Sequence, residues 1–138
     1  MNKNEIIEDI NDSGKEDIQY IYDNLVDANE LKEYENIEIE ITDDILQDLK
    51  KLIIEIVKVD DNFAKRVSEI IDNDNRSKPA IDPIAAVTII TLASICALIT
   101  MHANELRVQN PNANIIDCKD ILRNLHLDNL YDKIDKFL

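Results

Sequence analysis

A chain of 138 residues that is 45% hydrophobic, with one Gly and three Pro, has the length of one domain able to bury roughly 65–70% of its unfolded surface and is too apolar for wholesale disorder. It lacks the turn residues that a β-sandwich or barrel needs about every 8–12 positions, so helices are expected. A formal charge of −14 removes the basic surface on which direct nucleic-acid binding depends.

Residues 1–14 mix polar and acidic positions with Ile and read as a flexible lead or a short helix. They hold no basic stretch followed by an apolar run, so no secretory signal is read there and the cytoplasm is the expected location. After Gly14, the spacing of Ile18, Ile21, Tyr22, Leu25, Val26 and Leu31 predicts an amphipathic helix over 15–34. Ile37 to Ile41 alternates apolar and acidic residues with period two, as a half-buried strand does, but no second strand of comparable quality stands out. The segment is therefore expected to be an extended connector. Thr42 is a good N-cap with Asp43 and Asp44 in the first turn, and Ile45, Leu49, Leu52, Ile53 and Ile56 trace one face. The cluster Asp60-Asp61-Asn62 leaves open whether 43–72 is one helix or two, the second half being marked by Phe63, Val67, Ile70 and Ile71. Asp72 to Pro79 reads as a polar loop.

Asp82-Pro83 is a strong helix start. From Pro83 to Asn104 there is no formal charge, and the helix is expected to run to Gln109, stopped by Asn110-Pro111. A helix apolar all round is enclosed by protein or by lipid. Thr88, Thr91, Ser94 and Thr100 dilute its hydrophobicity and no basic or aromatic belt flanks it, so a central helix packed through Ala86, Ala93 and Ala97 is expected. Membrane association or insertion through 84–101 is the alternative. Cys96, within this run, reads as a small hydrophobe, and with Cys118 as the only other cysteine no disulfide framework is suggested. A last helical region from about Asp117 carries Ile121, Leu122, Leu125, Leu130, Ile134 and Phe137, with a break near Leu127-Asp128-Asn129. The fold expected is all-α: one acidic helical domain over 1–138, a bundle of four to six helices around the apolar helix at 83–109, with an extended segment near 37–41.

Chemistry is sparse. Asp9, Asn11, Ser13, Gly14 and Asp17 match positions of a calcium loop. Glu16 replaces the apolar residue and Tyr20 the bidentate Glu that complete such a loop, so a turn between two helices is expected instead. Asp72, Asp74 and Asp82 lack the central Gly. His102 and Glu105 share a helix face three residues apart, but no second helix offers a matching ligand set, and His126 and Cys118 are no better placed. Neither CxxC nor HExxH occurs, and one Gly cannot build a phosphate-binding loop. No catalytic, cofactor or metal site is read from the sequence, and no enzymatic activity is expected.

Charge is unevenly spread: residues 1–44 hold fifteen Asp and Glu against Lys3, Lys15 and Lys32, which is −12 of the total −14. The densest acidic run gives the candidate partner-binding residues Glu30, Glu33, Glu35, Glu38 and Glu40. The function expected is a non-enzymatic protein–protein interaction module of adaptor, immunity, antitoxin or inhibitor type. It would use this acidic region and apolar helix surface toward a basic protein or a second copy of the chain, with an acidic nucleic-acid mimic that blocks a nucleic-acid-binding protein as a further alternative.

Overall fold

In the computed structural model, residues 1–26, 37–73, 88–102 and 115–136 are described, and they form seven helices and a two-stranded sheet. Helix α1 (Lys3–Asp12) is capped by the Asn2 side chain, which accepts the Glu5 N–H, and buries Ile6 and Ile10. Ser13 and Gly14 turn the chain into α2 (Lys15–Leu25), whose buried stripe is Ile18, Ile21, Tyr22 and Leu25. This is the helix expected over 15–34; its described part ends at Val26, and 27–34 lies outside the described residues.

Strand β1 (Glu38–Glu40) leads to α3 (Asp43–Val59), started by the Thr42 hydroxyl accepting the Ile45 N–H. Asp60 then closes α3 with its backbone N–H and opens α4 (Asp61–Asp72), accepting the Phe63 N–H at 3.1 Å. One carboxylate at the joint makes 43–72 two helices, because an aspartate with extended backbone satisfies orphan N–H groups better than a continued helix would. The chain ends in α6 (Ile115–Asn124) and α7 (Asp128–Asp135), split at the expected break. There His126 takes a positive φ of 59°. Its N–H bonds the Arg123 carbonyl and the Leu127 N–H reaches back to Leu122, a Schellman closure with Leu122 and Leu127 both buried.

Two expectations need correction. Ile37 to Ile41 is not a lone connector: β1 pairs antiparallel with β2 (Ile89–Thr91), in the register Glu38 with Thr91, Ile39 with Ile90 and Glu40 with Ile89. The apolar helix correspondingly does not run through 89–91. Helix α5 (Leu92–Met101) starts where the Thr91 side chain accepts the Ser94 N–H. The β-branched run Thr88-Ile89-Ile90-Thr91 favours extended backbone, and β1 supplies its partner. Residues 83–87 and 103–109 of the expected helix lie outside the described residues. Among the described residues there are seven helices where four to six are expected, since α1 forms and both long amphipathic stretches divide.

Every residue of α5 from Leu92 to Ile99 is buried, Ala93, Cys96 and Ala97 among them. Yet α3 makes the broader set of helix contacts, packing on α1, α2, α4 and α7, whereas α5 packs on α2 and α6. Two charged side chains of α3 join the core boundary. Asp48 accepts the Leu130 N–H at 3.0 Å, at the start of α7, where Leu127 offers no side-chain cap. Lys50 donates to the Asn11 carbonyl at 2.9 Å, in the last turn of α1. Each charge meets the helix end that complements it. Among the described residues, no helix is long and apolar enough to cross a membrane.

Candidate interaction surface

Period-two alternation in β1 sends Ile39 into the core and leaves Glu38 and Glu40 exposed on the other face. The Ile41 N–H to Thr88 carbonyl and Leu92 N–H to Ile37 carbonyl bonds, both 2.9 Å, fix the strand ends. Register then puts half-buried Thr91 beside Glu38 and half-buried Ile89 beside Glu40. The outer face of the sheet thus presents two carboxylates roughly 7 Å apart along the strand, beside one hydroxyl and one aliphatic side chain.

Among the described residues neither Glu38 nor Glu40 forms an ion pair, while some acids elsewhere are matched: Lys3 with Asp61 at 2.5 Å, Lys15 with Asp43 at 3.2 Å, Lys119 with Asp135 at 2.6 Å. Lys3 holds the Asp61 carboxyl below its usual range, first by its hydrogen bond and then by its charge. The hydrogen bond to Asp135 holds the Lys119 ammonium above its usual range. Of the five expected partner-binding residues the structure brings Glu38 and Glu40 onto one face; Glu30, Glu33 and Glu35 lie outside the described residues.

The weaker chemical candidates resolve into structure. Residues 9–12 are the last turn of α1, Ser13 bonds back to the Asp9 carbonyl at 2.7 Å, and Asp17 lies in α2, so the calcium-like spacing falls across a helix–turn–helix joint. Asp72 ends α4, while Asp74 and Asp82 fall outside the described residues, as does Glu105. His102 follows α5 and directs Nδ1 to Asp60 Oδ2 at 3.2 Å, with its ring edge-on to Phe63 at 4.6 Å between centroids. This contact ties α5 to the α3–α4 joint. The sequence carries no local sign of this partner, since Asp60 lies 42 positions away. His126 is an exposed helix terminator. Cys118 donates its thiol to the Cys96 carbonyl at 3.8 Å, both cysteines being buried.

Among the described residues no three His, Cys, Asp or Glu side chains are placed to hold a metal ion. An open groove of about 440 Å³ between α1 and α4 carries both signs of charge, Lys3 and Lys65 against Asp61 and Glu69. Comparisons of the chain with known protein families, with curated proteins and with solved structures return no match, so the reading of this surface rests on its own geometry.

Proposed function

We propose that the protein is a non-enzymatic interaction module that engages a basic protein partner through the outer face of its β1–β2 sheet, with Glu38 and Glu40 as contacts and Glu30, Glu33 and Glu35 extending the acidic surface. The observation that carries this reading is the pair of exposed carboxylates on one strand face, without an ion-pair partner among the described residues, in a third of the chain that carries −12. Carboxylates at the rim of an interface act mainly on association rate and partner choice, and their effect fades as salt rises. Half-buried Ile89 supplies an apolar complement beside them, while the Thr91 hydroxyl is engaged with Ser94 at the start of α5. The apolar residues of α5 from Leu92 to Ile99 lie in the core and only Met101 at its end is exposed, so recognition in this reading is electrostatic in the first place.

The test is affinity capture from the native cell, followed by kinetics with the purified partner at about 50 and 500 mM salt. The double reversal Glu38→Lys and Glu40→Lys should slow association roughly tenfold or more at low salt and leave the helical spectrum unchanged. A captured partner whose binding ignored both the reversal and the salt would end the electrostatic reading. A partner for which this protein competed with duplex DNA would place it among inhibitors of nucleic-acid-binding proteins.

A further inference from the structure

The chain has two cysteines, 22 residues apart, and the fold places them together at the contact between α5 and α6. Both are fully buried. The Cys118 thiol reaches the Cys96 carbonyl at 3.8 Å, an oxygen that also receives the Thr100 hydroxyl at 2.8 Å. Neither thiol has a metal-binding neighbour set or a catalytic partner among the described residues.

We propose that Cys96 and Cys118 form a reversible intramolecular disulfide by exchange with a small-molecule disulfide of the glutathione type, which makes the α5–α6 contact redox-sensitive. The thiolate of one cysteine attacks a sulfur of the external disulfide, forming a mixed disulfide and releasing one small thiolate, which takes up the proton. The second cysteine, as thiolate, attacks the protein sulfur of that mixed disulfide, closing the bridge and releasing the second small thiol. Two protein thiols and one external disulfide become one protein disulfide and two external thiols; the protein gives two electrons and the external disulfide accepts them. In the closed core the neighbouring Cys118 thiol first, and burial second, keep Cys96 protonated well above the ordinary thiol range, and only thiolates react. The first attack therefore belongs to a transient opening of α6 from α5, and refolding delivers the second sulfur. Once closed, the bridge pins α6 to α5.

The experiment equilibrates the intact protein in reduced and oxidised glutathione mixtures, quenches with acid, labels free thiols in denaturant and weighs the products, then repeats this in urea. If the native fold holds the two sulfurs at bridging distance, the equilibrium constant for the bridge should exceed its value in the unfolded chain by about tenfold or more, and the same factor should stabilise the oxidised fold. Cys96→Ser and Cys118→Ser should each yield a mixed disulfide only. A native constant no larger than the unfolded one, or products dominated by mixed or intermolecular disulfides in the unaltered protein, would overturn the proposal.

Discussion

Tyr22 is fully buried on α2 and donates its phenol proton to the Leu49 carbonyl of α3 at 2.8 Å. Burial first, and the nearby Asp48 carboxylate second, hold this phenol well above its usual range. The linkage sign follows: an unfolded Tyr22 ionises near pH 10 while the folded one stays neutral, so its contribution is intact below about pH 10 and is lost as pH rises beyond it. Denaturation at pH 8 and pH 11 should show stability falling in the alkaline range, and Tyr22→Phe should flatten part of that fall. At pH 8 the same variant should cost only about 0.5–1.5 kcal/mol, one neutral hydrogen bond. An equal alkaline fall in both proteins would assign the effect to other groups. Asp48 acts at the same scale through a different bond. Its carboxylate caps α7 from another helix, so Asp48→Ala should cost about 1–3 kcal/mol by chemical denaturation while Asp48→Asn, which still accepts the Leu130 N–H, should cost less.

Elements differ in how far the sequence announces them. Helix α3 is legible because a Thr cap, two first-turn acids and an unbroken apolar stripe agree, and local signals that agree specify one structure. The period-two alternation of β1 is equally plain, although the segment reads as a connector while no partner strand is evident. Its partner is not: Ile89 to Thr91 lies inside a long apolar run, where a buried strand and a buried helix carry the same pattern and only the β-branched content separates them. The candidate surface is half legible for a related reason. Alternation along β1 places Glu38 and Glu40 on one face from sequence alone, but the Thr91 and Ile89 neighbours follow from the register with β2. Long-range ties such as Asp48 to Leu130 or His102 to Asp60 leave no local trace at all. The consequence for α5 can be tested directly. Ala93 is 4% exposed within the core cluster, so Ala93→Asp would bury a charge without a partner and should cost ~3 kcal/mol or more, much of a typical domain's total stability of about 5–15. An unchanged melting temperature would remove α5 from the core.

At the scale of the whole molecule, 29 acids face 15 bases, and like charges held close in a folded chain repel more than in an expanded one. Screening by salt should relieve this, since exposed charges beyond roughly 8 Å cease to interact at physiological ionic strength. The ion pairs work in the opposite direction, but those of Lys3, Lys15 and Lys58 are largely exposed and such pairs contribute little. Repulsion should therefore win, and the melting temperature should rise as sodium chloride goes from about 20 to 500 mM; a fall would mean that ion pairs outweigh the acidic excess. The same balance separates an acidic face that serves recognition from one that serves solubility alone. Replacing Glu38 and Glu40 by Lys lowers the excess charge, so the isolated protein should become no less stable, with any gain over the parent larger at low salt than at high. If those carboxylates meet a basic partner, the variant should gain or hold melting temperature while losing association rate, two measurements moving in opposite directions. A variant that gained stability and bound its partner at an unchanged rate would leave Glu38 and Glu40 with a solubilising role only.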